Sequence, residues 1–293
     1  MITKAIIPVA GIGTRFLPAS KSIPKEMFPL VDKPVIQYIV EEAVASGIKD
    51  IIFVTSSSKQ SLENFFGSSA ELESYLIKKN KARLVPKVRN LAKLANFSFI
   101  RQTKPKGDGD AISRARHLLS KNEAVLVAWG DDVIVGKSPV AKQLIDLYAR
   151  YKSPIFAVEK VKRHQLERYG VISGKKVAKN VYSVSHIVEK PAQEEAPSDL
   201  AIVGRYILTR DVLEELSRQT PAVDGEIRTS EALRDVIKQT QLYAYKFSGK
   251  RFDCGSKLGW LSANVYLGLR DEEIGKEFQL FLKEIKILSE GSS

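Results

Sequence analysis

Short runs rich in Val and Ile recur along the chain at TKAIIPV (3–9), DIIFVT (50–55), FSFIRQ (97–102), EAVLVAW (123–129) and PIFAVEKV (154–161). Their length and apolar density predict strands buried on both faces. Between them, apolar positions recur at helical spacing: VIQYIVEEAVASG (35–47) sets Val35, Ile39, Ala43 and Val44 on one face and stops at Gly47, and AISRARHLL (111–119) and VAKQLIDLYARY (140–151) read the same way. Alternating strands and helices predict a parallel sheet covered by helices on both faces, with ligands bound beyond the carboxyl ends of the strands.

The rhythm breaks over residues 59–95, a basic and largely polar stretch that predicts two or three short helices on the surface. After residue 160 the pattern turns β-rich at 169–172, 180–190, 201–209 and 241–247, with helices expected at 211–219 and 226–239. PAQEEAPSD (191–199) reads as an acidic surface loop, and from Gly259 a helical tail runs to a frayed polar SEGSS end.

Composition narrows the function. The 293 residues are 44% hydrophobic and 27% charged, the balance of a globular protein. No run of about 18 apolar residues and no signal-peptide pattern is present, so no membrane association is expected and the cytoplasm is the expected compartment. The single cysteine, Cys254, and three scattered histidines do not suit thiol or zinc chemistry. Lys and Arg outnumber Asp and Glu by 46 to 34, a net charge of +12 that favours anionic partners. No stretch interleaves stacking aromatics with cations, so nucleic acid is not expected; the basic 76–104 region is the weaker alternative.

Five stretches carry candidate chemistry. VAGIGTRFLPASKSIPKEMFPL (9–30) starts where the first strand ends, the phosphate-binding position of an open α/β sheet, yet Phe16 stands where a dinucleotide fingerprint needs its third glycine and no G-K-[ST] follows. Glycines with Arg15 and Lys25 suit a triphosphate, whose charge must be neutralised as well as cradled; a structural loop with solvated cations is the alternative. In RQTKPKGDGDA, Gln102 offers a donor and an acceptor to a base edge, while Asp108 or Asp110 could simply cap a helix. WGDDVIVG places Asp131 and Asp132 after the most apolar strand, facing opposite sides, so that one could hold Mg2+; a polar turn is the alternative. In HIVEKPA, Glu189 could accept from sugar hydroxyls while Lys190 meets a phosphate, and RFDCGSK sets Asp253 just before a glycine; surface ion pairs and turns are the alternative.

Taken in order, these motifs together with YGVI, VGRYILT, GEIRTSEAL and DCGSKLG resemble the sugar-phosphate nucleotidyltransferase family, in its branch of bacterial-type UTP-glucose-1-phosphate uridylyltransferases (UDP-glucose pyrophosphorylases), over roughly residues 3 to 265. The resemblance implies an α/β fold, a Rossmann-like mixed, mostly parallel sheet flanked by helices with a smaller β-rich sugar-binding part. It implies one nucleotidyltransferase domain over 1–270, with a nucleotide half at about 1–160 and a sugar half at about 161–258, followed by a helical tail over 271–293. The implied reaction is Mg2+-dependent transfer of UMP from UTP to glucose 1-phosphate, releasing pyrophosphate and UDP-glucose, by a homo-oligomer, dimer or tetramer.

Residue by residue, the resemblance implies that Ala10, Gly11, Gly13 and Thr14 line the nucleotide, with Arg15 on its outer phosphates, Lys25 near the α-phosphate and Glu26 near the uridine end. Gln102 and Gly107 would meet uracil, Asp131 and Asp253 Mg2+, Gly170, Glu189 and Gly204 the glucose side, and Lys190 the sugar phosphate. Two departures stand out. The family's G-L-G-H-A becomes Gly107-Asp108-Gly109-Asp110-Ala111, which puts two acids beside the base and leaves base choice open, and Gly130 replaces the proline common before the metal aspartate. A thymidylyltransferase, or a non-catalytic nucleotide-sugar-binding regulator, is the competing expectation.

Overall fold

The Val- and Ile-rich runs become strands within a residue or two of their predicted limits. A computed structural model describes residues 1–290, with side chains through 285; the last three residues of the expected frayed end lie outside the described residues. The chain begins with β1 (Lys4–Pro8), short strands β2 (Pro29–Leu30) and β3 (Lys33–Pro34), helix α1 (Val35–Ala45) and β4 (Asp50–Thr55). The stretch 59–95 holds α2 (Gln60–Phe66), α3 (Ala70–Lys78) and α4 (Val85–Arg89), as its broken pattern predicts. Then come β5 (Asn96–Arg101), α5 (Gly107–Arg114), β6 (Val125–Ala128), β7 (Asp132–Val135), α6 (Val140–Tyr151) and β8 (Ile155–Lys160). The β-rich half contributes β9 (Gly170–Ala178), β10 (Val181–Glu189), β11 (Leu200–Leu208), α7 (Arg210–Arg218), α8 (Thr229–Val236), β12 (Leu242–Lys246) and β13 (Lys250–Asp253), and the chain ends in α9 (Lys257–Gly268) and α10 (Gly275–Glu290).

Nine strands share one sheet in the order β5-β4-β1-β6-β11-β8-β12-β10-β9. The mixed sheet is parallel from β5 to β6, where helices cross over. It becomes antiparallel at β11, which inserts between β6 and β8, and again at the β9–β10 hairpin, whose two-residue connection permits no other direction. Alternation along β1 sends Ala5 and Ile7 into the layer containing Ile36 and Ile39 of α1 and Leu144 of α6, and Ile6 into the layer containing Ile112 of α5 and Leu213 of α7. β5 departs from the expectation of burial on both faces: it is the edge strand and stays partly exposed.

Two further differences bear on the site. The helix expected at 226–239 starts only at Thr229, because Ile227 is held extended by hydrogen bonds from its N–H to Lys106 O (2.8 Å) and from Gly109 N–H to its carbonyl (2.9 Å). Also, β7 and β13 pair as an antiparallel ribbon that sets Asp253 opposite Asp132. Among the described residues no helix is long and apolar enough to cross a membrane.

Beneath the ribbon lies a buried cation. Arg205 on β11 is fully buried and donates to both Glu42 oxygens (Nη2–Oε2 2.7 Å) and to the carbonyls of Gly204 (2.8 Å) and Asp132 (2.7 Å). It thereby ties α1 to the turn that carries the two aspartates. Replacing Arg205 with Met removes the donors to Glu42 Oε2 and to the Asp132 carbonyl and leaves Glu42 a buried, uncompensated charge held only by the Ala141 N–H, while the Gly204 carbonyl keeps the Trp129 N–H. It is expected to cost about 3–5 kcal/mol, the usual effect of breaking a buried pair from one side. Urea unfolding measures this, and a loss below about 1 kcal/mol, the scale of an exposed pair, would contradict the assignment.

Candidate functional site

The loop after β1 turns at Gly13, whose φ of 76° lies in the left-handed region that glycine adopts without strain. Ser20 Oγ donates to Gly13 O (2.7 Å), and Phe16, the residue that breaks the dinucleotide pattern, is buried edge-on against Phe28 at 5.0 Å. Phe16 is therefore an anchor that holds the loop open beside the strand ends. Arg15 Nη1 donates to Gly255 O (3.4 Å), tying the loop to the turn after β13.

Two cavities, of about 460 and 430 Å3, open side by side at the carboxyl ends of the parallel strands. They share Lys25, Gly107, Asp108, Trp129, Asp131 and Glu226, so they form two lobes of one trough. Ala10, Gly11, Gly13, Thr14, Glu26 and Gln102 line the loop-side lobe. Arg15, Gly170, Glu189, Lys190 and Asp253 line the hairpin-side lobe.

Gly204 is the exception among the predicted site residues. It is buried in β11 and lines neither lobe; a β-carbon there would stand 2.6 Å from the Trp129 side chain. Gly204 seats Trp129, which in turn walls both lobes.

At the junction, Lys25 Nζ lies 2.5 Å from Asp131 Oδ2. Burial works against both charges, but each is outweighed by the other: Asp131, Glu26 and Asp253 hold the Lys25 ammonium well above its ordinary pKa, and Lys25, Arg251 and Lys59 hold the Asp131 carboxyl below its own. Asp132 points the other way and is fully buried. Its Oδ1 accepts from Arg251 (2.7 Å) and its Oδ2 from the Gly204 N–H (2.9 Å), which leaves it a structural role. The opposite facing predicted for adjacent strand-end acids holds.

Asp131 and Asp253 converge on Gly255. A β-carbon there would stand 2.5 Å from Asp131 Oδ2 and 3.0 Å from Asp253 Oδ1, so only glycine leaves that space open between the two carboxylates. The donor set fits a hard divalent cation, which takes one or two carboxylates and leaves its other positions to water and substrate. Burial, and then the like charges of Asp132 and Asp131, push the Asp253 carboxyl up.

In the hairpin-side lobe, Ser230 Oγ donates to Glu189 Oε2 (2.7 Å). Gly170 gives Glu189 room, since a β-carbon there would come within 3.1 Å of the same oxygen. In the loop-side lobe, Glu26 takes Lys59 Nζ at 2.7 Å, a buried pair in which burial lowers the lysine pKa against the pull of Glu26. Asp108 accepts from Thr229 Oγ1 (2.6 Å), and burial pushes its carboxyl up.

Sequence reading missed Arg251, Arg168, Ser230, Trp129 and Glu226 as parts of the wall. One signal was available: Arg251 and Asp253 are two apart on a strand and so share a face. Arg168, just before Gly170, reaches Asp253 at 3.5 Å. The other three are placed by long-range pairing that no local spacing reveals.

Residues 4–267 match the family model described as nucleotidyl transferase. UTP–glucose-1-phosphate uridylyltransferase 2 of Staphylococcus saprophyticus is 44% identical over 286 residues, covering 98% of this chain and 99% of that protein. A solved UDP-glucose pyrophosphorylase complexed with UDP-glucose is similar at a TM-score of 0.82 and 41% identity, over 92% of this chain and 100% of that one. The UTP-bound enzyme from Acinetobacter baumannii gives a TM-score of 0.89 at 37% identity, over 97% of this chain and 99% of that one.

The carboxylate pair has a measurable consequence. Because Asp253 titrates higher in the folded chain than in the unfolded one, it binds more protons when folded and lowers stability as pH rises from about 3.9, the unfolded value, through its folded value. Asp253→Asn removes that repulsion. In metal-free buffer at neutral pH the variant is expected to melt a few degrees higher than the parent while binding divalent cations more weakly. A lower melting temperature would show that the two acids do not oppose each other.

Proposed function

Because this chain belongs to the nucleotidyl transferase family, we propose that it transfers UMP from UTP to glucose 1-phosphate, producing UDP-glucose and pyrophosphate. One observation carries this reading: a two-lobed trough with a lysine and a metal-type carboxylate at the junction, where the two substrates must meet.

The reaction asks for no protein nucleophile. A phosphate oxygen of glucose 1-phosphate is already a nucleophile at neutral pH. It forms a bond to the α-phosphorus of UTP as the bond from that phosphorus to the bridging oxygen breaks, and the electron pair leaves with pyrophosphate. The protein must bring two anions together and stabilise charge that moves. Lys25, held protonated by its three acidic neighbours, is the fixed cation at the α-phosphate. Arg15, between the glycine loop and Gly255, faces the outer phosphates, and the loop backbone at Ala10, Gly11, Gly13 and Thr14 approaches the nucleotide closely. Lys190 meets the phosphate of the incoming sugar, Glu189 accepts from glucose hydroxyls, and Gly170 keeps that wall clear. Gln102 and Gly107 face the base. Glu26 acts at the uridine end, where it pairs with Lys59 at 2.7 Å in a buried wall.

Mg2+ suits the Asp131 and Asp253 cradle, and when bound it supplies neutralisation of phosphate charge. Lys25→Met and Asp131→Asn should each cut pyrophosphate release from UTP and glucose 1-phosphate by about 10²–10³-fold, the scale of removing one preorganised charge. Near-normal turnover in both variants would overturn these roles.

The continuous sheet from β5 to β9 supports reading residues 1–270 as one domain followed by a helical tail. UTP is a cytoplasmic metabolite, and we place the protein there. A stripe along α9 and its C-cap, Leu258, Leu261, Val265 and Leu269, recurs at helical spacing with 77%, 53%, 38% and 38% of each residue exposed, and Leu280 and Phe281 on α10 are also exposed. The stripe supports a homo-oligomer in which a second copy covers it. Leu261→Asp combined with Val265→Asp is expected to give a folded monomer by light scattering; an unchanged mass would move the interface elsewhere.

A further inference from the structure

Gln102 follows β5 and is 4% exposed, with its backbone N–H donated to Thr55 O at 2.8 Å. Its side-chain Nε2 donates to Asp110 Oδ2 at 2.6 Å and to the Gly107 carbonyl at 3.3 Å. A primary amide carries two N–H donors, so both are consumed inside the protein. Asp110 also receives Arg114 Nε on the same oxygen at 2.9 Å, and an ionised carboxylate only accepts. Turning the Gln102 amide over would set Oε1 against that carboxylate oxygen. The orientation is therefore locked, and the group left for a ligand in the loop-side lobe is Oε1, which has no hydrogen-bond partner among the described residues.

We propose that Asp110 is a positioning residue that makes Gln102 an acceptor-only reader of the base, so that the site selects a pyrimidine bearing N3–H. The inference rests on the uridylyl-transfer reading for the nature of the ligand. Uracil donates from N3 and completes a hydrogen bond to Oε1. Cytosine presents a bare N3 acceptor, which would face Oε1 lone pair to lone pair and leave a buried acceptor unpaired. Thymine has the same edge as uracil, so this device separates uracil from cytosine and leaves the uracil-thymine distinction to contacts with the 5-position or the ribose. Where the family carries histidine, the ring can donate or accept according to its tautomer; aspartate can only accept, and the reading of the base is set by charge.

Calorimetric binding of UTP and CTP, with Mg2+ and without glucose 1-phosphate, tests this without turnover. The parent should bind UTP at least about tenfold tighter than CTP, the scale of one buried hydrogen bond to a base. Asp110→Ala should reduce that ratio about tenfold, and Asp110→Asn, whose Oδ1 can still accept from both Gln102 and Arg114, should keep most of it. In a Gln102→Leu background, Asp110→Ala should change the ratio no further. A merely structural aspartate would weaken both nucleotides equally and leave the ratio intact. A UTP to CTP ratio in Asp110→Ala within twofold of the parent, or a parent with no preference, would overturn the proposal. Pyrophosphate release by the parent is scored separately, so failure of the reaction reading does not decide the role of Asp110.

Discussion

The site depends on two adjacent aspartates that leave one turn in opposite directions. Asp132 goes inward, where Arg251 and the Gly204 N–H saturate it, while Asp131 goes outward to Lys25. Neither arrangement holds alone. The inward acid fixes the β6–β7 turn against β11 and the β7–β13 ribbon, and Arg205 beneath it binds the Asp132 carbonyl. Only because that turn is rigid can Asp131 hold a short contact with Lys25, whose own loop is anchored by Phe16. Buried ion pairs are weak evidence for stability, since desolvation offsets much of their attraction. Here they serve position: the turn is over-determined, and the carboxylate at its tip can be aimed.

The same ribbon explains why Asp253 belongs to the site although it is more than a hundred residues from Asp131. Register sets Asp253 opposite Asp132, and the following glycine leaves the two outward carboxylates facing one space. Burial, and then the like charges of Asp132 and Asp131, push the Asp253 carboxyl up against the pull of Arg251 and Arg15. If this space takes a cation, as proposed, stability is surrendered at the place where it would bind, a common arrangement in sites built for charge.

Much of the parallel half was legible in the sequence. The runs at 3–9, 50–55 and 123–129 needed only apolar density, and the opposite facing of Asp131 and Asp132 needed only strand alternation. The edge position of β5 was hidden, because an edge strand and a central strand of similar composition differ in their neighbours and not in their own residues. The late start of α8 was hidden as well: its first residues have helical spacing, but backbone bonds to Lys106 and to Gly109 at the start of α5 override it. Gly204 reads as a site residue in a recognisable motif, whereas its place beneath Trp129 depends on a packing contact between β11 and the end of β6. Local patterns report what a segment prefers; walls of a cavity are made by segments meeting.

The acids at 108 and 110 look misplaced beside an anionic substrate until their partners are considered. Asp110 is neutralised by Arg114, and Asp108 is held by Thr229 with its carboxyl pushed toward the uncharged form by burial. Both carboxylates are thus partnered within the protein. Arg15, Lys25, Lys190, Arg168 and Arg251 line the hairpin-side lobe, with Lys25 at the junction. Under the proposed reaction this polarises the trough, with acceptors toward the base and cations toward the phosphates. A molecule with a neutral, hydrogen-bonding head and a charged tail is favoured in one direction and opposed in the other. In the proposed reaction the glycine loop would supply a backbone that admits the triphosphate closely enough for Lys25 to reach the phosphorus at which bonds are exchanged.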